Sequence, residues 1–415
     1  MKGVFCEHGP RSLTLSDSGP LTGVRLAVKD LFQLKGEKNT AGSPEWFNTH
    51  PPASKTALSL QQLLEAGSTF TGFTHLDELA YSMQGSNLHY GSADNPKLPG
   101  YFCGGSSMGS AAAVASGTAD IGLGTDTGGS VRVPASYCGL FGIRTSHSLI
   151  PTDGVIGLAP CFDTVGWFSQ TPSLLVDVGK ILIPSRHLSA NKVTRLVTCP
   201  EISQLADTPI QLAIQEFIPT LNNQFPICEI KHLSDIELLG ELADVFRILQ
   251  GRAIANTHGD WLRKYRPVFS EDIATRITMA LSITDDEISW ANEKRQQWYK
   301  LMETLLPDNS SVLLVPTTPT TAIKKGTDSE SRKLQTNRQR LLGLTAIAGL
   351  WGAPQCHLPL FSIVENGINT GGKEIEKPSG FSLIMTPRSD FSLLSLVEQL
   401  TKSLEGIAGS TYGAT

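Results

Sequence analysis

CGGSSMGSAAAVASGTADIGLGTDTGGSVRVP, residues 103–134, is the stretch of the 415-residue chain that decides its fold. It holds two Gly-Gly-Ser loops, with Ser106 in the first loop and Ser130 in the second. The Ala- and Val-rich residues 110–116 between them predict a short helix, and residues 119–124 predict a buried strand. This order of loop, helix, strand and loop places the second serine loop at the same end of a sheet as the first.

Both serines stand among glycines, and this composition suits acyl-transfer chemistry. Glycine allows backbone conformations with positive φ and leaves amide N–H groups uncovered by side chains. Bare amides beside a hydroxyl can hold the oxyanion of a tetrahedral intermediate. We expect this oxyanion hole to consist of the backbone N–H groups of Thr127, Gly128, Gly129 and Ser130.

A serine hydroxyl needs a base to take its proton, and the stretch contains no histidine. A lysine can serve when it is neutral, which requires burial or nearby positive groups to lower its pKa from about 10.4. Lys29 follows the apolar residues 26–28, which predicts that it lies at the end of a buried strand. His147, the histidine nearest to Ser130 in sequence, is the rival base, and a catalytic thiol at Cys103 is a further alternative.

The stretch resembles the amidase signature family in its GGSS-x-GS loop, its Ala-rich helix and its GTDTGGSVRVPA loop. Further motifs fall where that family has them: LAVKD at 26–30, CGLFG at 138–142, FDTVG at 162–166, VPTTP at 315–319 and GFSLI at 380–384. The resemblance therefore spans roughly residues 24–400. Within the family, the motifs GTDTGGSVRVPASYCG and FDTVGWF most resemble those of plant amidases that hydrolyse indole-3-acetamide.

The resemblance implies a role for each residue of the site. Ser130 is expected as the nucleophile, Ser106 as the bridging serine after a cis peptide bond, and Lys29 as the base. The expected reaction is hydrolysis of a carboxamide to a carboxylic acid and ammonia through an acyl-enzyme. The sequence departs from the family pattern at Met108, where Ser or Gly is usual, and at Arg144, where a lysine is common.

Strands that alternate with helices predict an α/β fold. We expect a mixed, mostly parallel twisted sheet covered by helices on both faces, which is the amidase signature fold that the resemblance implies. Residues 1–415 are expected to form a single domain, with a helix-rich cover at about 171–309. Ligands of such sheets bind at the carboxyl ends of strands, where Lys29, Ser106 and Ser130 are expected to converge.

Composition and local spacing argue against several other classes of function. The net charge is −5 without any block of basic residues, so a nucleic-acid partner is not expected. The seven scattered cysteines include no C-x-x-C pair and no two histidines stand at i,i+4, so neither a disulfide framework nor a metal or cofactor is expected. The first residues are too polar for a signal peptide, and the apolar residues 341–354 are too few to span a bilayer. We expect a cytoplasmic protein without a membrane partner, and a homodimer stays open.

The expected ligand is a small-molecule amide. Met108 beside the first loop and Val133 just after the nucleophile are both apolar, which favours an apolar, aromatic group on the substrate. Two alternatives stay open: a glutamine-dependent amidotransferase subunit that passes ammonia to a partner, and a non-catalytic amidase-like interaction module. Since the positions of Lys29, Ser106 and Ser130 are all filled, the sequence favours the enzyme.

Overall fold

A single sheet forms the centre of the protein, which a computed structural model describes for residues 3–327, 332–366 and 374–407. Within these ranges the sheet has ten strands: β1 Arg25–Lys29, β2 Thr69–Thr74, β3 Ile121–Thr125, β4 Phe141–Arg144, β5 Val165–Ser169, β6 Arg195–Thr198, β7 Ile227–Ile230, β8 Ser311–Pro316, β9 Gln355–Asn366 and β10 Glu374–Ile384. Across the sheet the strands lie in the order β2-β1-β3-β5-β4-β9-β10-β8-β6-β7.

The sheet is mixed, with parallel strands only toward its two edges. β1 pairs in parallel with β2 and β3, and β6 pairs in parallel with β7 and β8. The five pairings between β3 and β8 are antiparallel. The predicted mixed α/β fold is therefore confirmed. The sheet is not mostly parallel, because β4, β5 and the long β9–β10 pair insert antiparallel strands between its parallel ends.

Helices cover both faces of the sheet. The described residues contain twelve α-helices: α1 Pro44–Thr49, α2 Leu58–Glu65, α3 Met108–Ala115, α4 Arg132–Cys138, α5 Pro172–Leu182, α6 Pro200–Ser203, α7 Thr208–Asn222, α8 Ile236–Tyr265, α9 Glu271–Ser282, α10 Asp285–Leu305, α11 Arg332–Trp351 and α12 Asp390–Ile407. Alternate residues of β8 point to opposite faces. Val312 and Leu314 join one apolar cluster with α2, α5, α7 and α12. Leu313 and Val315 join the other with α8, α9, α10 and α11.

The segment 171–309 is helix-rich, as expected, and it also contributes β6 and β7 to the sheet. Both strands have only four residues, and β7 is an edge strand whose side chains are largely exposed. Such short strands carry no apolar alternation long enough to be recognised in the sequence. None of the helices within the described ranges is both long and apolar enough to cross a lipid bilayer.

Two local features bring the serine loops to one end of the sheet. β1 and β3 are parallel neighbours, so Lys29 at the end of β1 lies beside Thr125 at the end of β3. α3 begins at Met108, just after the first serine loop, and α4 begins at Arg132, just after the second. Both loops therefore lie at the carboxyl ends of these strands, as the sequence predicts for a ligand site.

Candidate active site

Lys29 is held in place from two sides. Its side chain is fully buried at the end of β1. Its Nζ atom donates to Ser106 Oγ at 2.8 Å and to Thr125 Oγ1 at 2.8 Å. The structure thus brings together two of the three residues that the sequence predicted for catalysis, from positions that are 77 residues apart in the chain.

Burial governs the charge of Lys29. It lowers the pKa of the amine from 10.5 to about 7, while the carboxylates of Asp77, Asp126 and Asp163 act in the opposite direction. A large fraction of the amine is therefore neutral near pH 7. When the Lys29 amine is neutral, its Nζ atom can accept a hydrogen bond from the Ser106 hydroxyl. A general base must be able to accept in this way. The Asp77 carboxyl is fully buried as well, and burial raises its own pKa to about 7.

The two serine loops lie against each other. The peptide bond between Gly105 and Ser106 is cis, as the family pattern implies. The amide of Ser107 donates to the carbonyl oxygen of Ser130 at 3.3 Å. Ser106 is fully enclosed, whereas Ser130 keeps a small exposed area on the wall of a cavity. Within the described residues no hydrogen bond joins the Ser106 and Ser130 hydroxyls, so the last link of the predicted proton relay stays a prediction.

A buried ion-pair network shapes the Ser130 loop. The Asp126 carboxylate lies 2.7 Å from Arg132 Nη2 and 3.2 Å from Arg144 Nη1, and all three side chains are inaccessible to solvent. The same carboxylate accepts hydrogen bonds from the amides of Gly129, Val131 and Arg132. Burial acts to raise the pKa of Asp126, but the two guanidinium groups hold it far below its usual range. The loop therefore folds around a carboxylate that stays ionised.

This network changes the predicted oxyanion hole. The Gly129 N–H donates to Asp126 Oδ1 at 2.9 Å, so it is already engaged inside the loop. Gly129 also has φ of +131°, and a Cβ atom there would lie 2.8 Å from Met83 Sδ. We therefore remove Gly129 from the predicted donors and keep the amides of Thr127, Gly128 and Ser130. Gly129 instead gives the loop the backbone conformation that its turn requires.

A cavity of about 310 Å³ lies in front of the Ser130 loop, and Gly128 and Ser130 form part of its wall. Its apolar lining includes Tyr81, Met83, Phe102, Tyr137, Ile323 and Leu341. The cavity gives a small molecule access to Ser130, whereas Lys29 and Ser106 lie behind the wall, out of reach of solvent. This arrangement suits a nucleophile that meets substrate and a base that acts through a second hydroxyl.

Met108 and Val133 do not have the substrate-binding role that the sequence predicted for them. Met108 is fully buried in an apolar cluster with the alanines of α3. Val133 is fully buried in α4, in a cluster that includes Tyr137. Both follow a serine loop closely in sequence, but every side chain of the two helices is buried. Met83, from a separate loop, and Met279, from α9, are the methionines that line the cavity within the described residues.

Comparison with known proteins decides the family. A family model for Amidase matches residues 9–185. The chain is 35% identical over 428 residues to Amidase 1 of Arabidopsis thaliana, which covers 96% of this chain and 97% of that protein. It is 34% identical over 438 residues to Amidase 1 of Oryza sativa subsp. japonica, with 99% and 98% covered. The chain belongs to the amidase family. Its fold agrees: a crystal structure of an amidase superposes with a TM-score of 0.79 at 26% identity, over 92% of this chain and 85% of that one.

The family model, the plant Amidase 1 relatives and the amidase structure support this chain as a hydrolase that acts on amide C–N bonds. The rivals to Lys29 are poorly placed in this amidase. His147 Nε2 lies 2.9 Å from the carbonyl oxygen of Pro160, and burial lowers the pKa of its ring. The Cys103 thiol is fully buried and donates to the carbonyl oxygen of Ala93 at 3.6 Å. Neither side chain is among the described residues that line the cavity.

Charged residues on the far wall of the amidase cavity escaped the sequence analysis. Asp272 pairs with Arg276 at 3.0 Å and with Arg338 at 3.1 Å, and Asp244 pairs with Arg247 at 3.2 Å. All five residues line the cavity. Their local signal is the i,i+3 and i,i+4 spacing within α8 and α9, which is common on any solvated helix. Only folding brings these residues of α8 and α9 next to Arg338 of α11 at one cavity, so the sequence does not indicate that they lie together.

We predict that Asp126→Ala destabilises this amidase far more than the matched change Asp120→Ala. Asp126→Ala leaves the Arg132 and Arg144 guanidiniums buried without their anion, which costs about 3–5 kcal/mol. Asp120 pairs with Arg25 at the surface, where such a pair contributes about 0–1 kcal/mol. Denaturant unfolding of both variants measures the difference, and equal losses of stability would contradict the role given to the network.

Proposed function

We propose that this amidase hydrolyses a carboxamide to a carboxylic acid and ammonia through an acyl-enzyme on Ser130. Ser106 relays protons and Lys29 is the base. The observation that carries the proposal is the hydrogen bond between the buried Lys29 amine and Ser106, whose loop contacts the Ser130 loop at the cavity wall. A buried amine with a lowered pKa accounts for a serine hydrolase site without a histidine base.

The proposed first half-reaction moves one proton inward. Ser130 Oγ attacks the carbonyl carbon of the amide while its proton passes to Ser106 Oγ, and the Ser106 proton passes to the neutral Lys29 amine. The tetrahedral intermediate then collapses: its C–N bond breaks, and the leaving nitrogen takes a proton back through Ser106, so ammonia departs. The products of this half are the Ser130 ester and a neutral Lys29.

The second half-reaction repeats the relay with water. A water molecule attacks the ester carbonyl and gives its proton through Ser106 to Lys29. The second intermediate collapses, the C–O bond to Ser130 breaks, and Ser130 Oγ recovers a proton along the same path, which frees the carboxylic acid. In both halves the amides of Thr127, Gly128 and Ser130 are the proposed donors to the oxyanion. One such donor typically contributes about 3–4 kcal/mol to transition-state binding.

An apolar, aromatic group on the substrate is the second part of the proposal. Met83, Phe102 and Tyr137 line the cavity together with Ser130, so they offer apolar surface to the group next to the carboxamide. The three arginines of the far wall, Arg247, Arg276 and Arg338, pair with Asp244 and Asp272, which offset most of their positive charge. The 35% and 34% identity to the two plant Amidase 1 proteins supports hydrolysis of an amide. Indole-3-acetamide is the test compound because the motifs around Ser130 resemble those of plant amidases that hydrolyse it.

We predict that Ser130→Ala abolishes turnover and also covalent labelling by a fluorophosphonate, because Ser130 Oγ is the atom that attacks the substrate and the label. The matched control is Ser173→Ala, on the exposed first turn of α5, which is expected to keep full activity and labelling. Label that persists on the Ser130→Ala protein would show that another side chain is the nucleophile.

The pKa of Lys29 sets the expected pH dependence. The amine must be unprotonated to act, and its pKa in the folded protein is lowered to about 7. We therefore predict that kcat/KM is low below this pH, rises through a midpoint near 7 and levels off at alkaline pH.

Lys29→Met is expected to lower kcat/KM by about 10²–10⁴-fold, the usual contribution of a general base. Lys35→Met, which alters an exposed lysine of the same segment, is the control and should have little effect. A Lys29→Met variant that retains the normal pH profile, together with an inactive His147→Ala variant, would transfer the role of base to His147.

The substrate proposal predicts that the purified chain alone releases ammonia faster from indole-3-acetamide and phenylacetamide than from the charged amide malonamate. Ammonia release across aliphatic, aryl-acetic and dicarboxylic amides measures this preference. A preference for malonamate would refute the apolar pocket and leave the catalytic residues untouched. Activity with glutamine only in the presence of a partner would favour the amidotransferase subunit, and an inert chain would favour the interaction module.

A further inference from the structure

A second cluster of reactive side chains lies next to the end of β1, where the N-terminal segment docks on the sheet. Phe5 bridges to Thr74 at the end of β2, so the segment adds to the edge of the sheet. This docking places Cys6 and His8 beside Asp30, the residue that follows β1. His75, the residue that follows β2, completes the group.

We propose that Cys6, His8, Asp30 and His75 form a binding site for a divalent transition metal ion, and that Zn²⁺ is the ion that fits best. One thiolate, two imidazoles and one carboxylate are a donor set that suits zinc, which takes four ligands in structural sites. In the rest of this subsection these four residues are called the N-terminal cluster. The local sequence did not reveal it, because its members come from three separate stretches of chain.

The distances within the N-terminal cluster approach those of a tetrahedral site. Bond lengths of about 2.0–2.3 Å to zinc place neighbouring donor atoms roughly 3.3–3.6 Å apart. Here His8 Nε2 lies 3.1 Å from Asp30 Oδ1, and Cys6 Sγ lies 3.6 Å from His75 Nδ1 and 3.9 Å from Asp30 Oδ2. Donor atoms of Cys6, His8 and Asp30 all lie within 4.8 Å of one another. His75 is not in this group of three and adjoins it through Cys6, so its side chain must rotate toward the other donors before all four can bind one ion.

The surroundings hold the carboxylate in the orientation that a ligand needs. Asn39 Nδ2 donates to Asp30 Oδ1 at 2.9 Å, and the Thr40 amide donates to Asp30 Oδ2 at 2.8 Å, with a further bond from the Thr40 hydroxyl. Each carboxylate oxygen has two lone pairs, so Oδ1 keeps one for an ion in place of its contact with His8. Hydrogen bonds to a ligating carboxylate from groups that do not bind the ion themselves are typical of metal sites.

Both imidazoles are fixed by aromatic neighbours. The His75 ring stacks on Tyr90, with centroids 5.0 Å apart and an interplanar angle of 24°. The His8 ring stacks on Phe73, with centroids 5.5 Å apart and an angle of 26°. Rings held in this way lose less freedom when they bind an ion. His8 is also the accessible member, with 19% of its side chain exposed, so an ion can enter past it.

The charge of the donor set is also compatible with binding. When Cys6 binds as a thiolate, its S–H bond breaks, a metal–sulfur bond forms and one proton is released to solvent. One thiolate and one carboxylate balance the two positive charges of the ion, so no net charge is buried.

The consequence for this amidase is structural. An ion in the N-terminal cluster ties the first residues of the chain to the ends of β1 and β2, directly beside the segment that carries Lys29. Ligands that bind only the folded state stabilise it, so occupancy is expected to raise the thermal unfolding midpoint. This inference does not depend on the proposed reaction, because it is read from metal content and stability rather than from turnover.

The test compares full-length variants that were stripped with a chelator and then dialysed against Zn²⁺. We expect about one tightly bound zinc in the natural sequence, loss of that zinc in Cys6→Ser and His8→Ala, and retention in the control Cys228→Ser, which alters an exposed free cysteine. Zinc should raise the thermal midpoint only in the two proteins that keep it. Equal zinc content in Cys6→Ser and Cys228→Ser, or no retained zinc in the natural sequence, would overturn the proposal.

A second measurement keeps the proposal testable if Cys6→Ser folds poorly. Co²⁺ replaces Zn²⁺ in such sites, and a thiolate ligand gives it a charge-transfer absorption band that oxygen and nitrogen ligands do not give. We expect this band when Co²⁺ is added to the stripped Cys228→Ser protein, with about one proton released per ion. A Co²⁺ spectrum without that band would show that Cys6 is not a ligand and that the cluster is a set of hydrogen bonds only.

Discussion

The site of this amidase depends on one buried carboxylate. Asp126 binds two guanidiniums through its side chain and three backbone amides of the loop that follows it, and none of these groups reaches solvent. A charge in such a place is tolerated only when its partners satisfy it fully, so the loop has little freedom to adopt another shape. Arg132 extends the constraint by donating to Gln355 Oε1 at 2.6 Å, which ties the nucleophile loop to β9. Arg144 is the last residue of β4 and donates to the carbonyl oxygen of Asp126, so it ties the end of that strand to the same loop.

Burial has the opposite effect on the charge of Lys29, which it favours in the neutral form. Asp126 stays charged because cations surround it, whereas Lys29 is enclosed by hydroxyls and a carbonyl, and desolvation of its amine lowers its pKa to about 7. Two ionisable groups at the ends of neighbouring strands thus receive different charge states from their surroundings. One organises the loop and the other is free to exchange protons. A fold that kept both groups charged would have a rigid loop but no base.

The sequence predicted the parts of the site that lie in short local motifs, and it did not predict contacts between segments that are distant in the chain. The positions of Lys29 and Ser130 were predictable because each lies in a short motif that ends or follows a strand, and these parallel strands have their ends together. Ser106 was predictable because its loop begins the helix that leads back into β3. The roles of Met108 and Val133 were predicted wrongly because neighbours in sequence within a buried helix need not face the ligand. The cavity walls were not predictable, since Met83, Arg276 and Arg338 come from distant segments. For the same reason the N-terminal cluster has no local spacing that marks it.

The most direct test of the account is to locate the acyl group. An amide substrate is mixed with the protein at a pH above 7, where Lys29 is neutral, and the reaction is stopped with acid within the first turnover and digested for mass spectrometry. The account predicts that the mass of the acyl group appears on the peptide that contains Ser130, and on the residue Ser130 itself. An acyl group on Ser106 or Cys103, or ammonia release without any covalent adduct, would contradict the proposed mechanism.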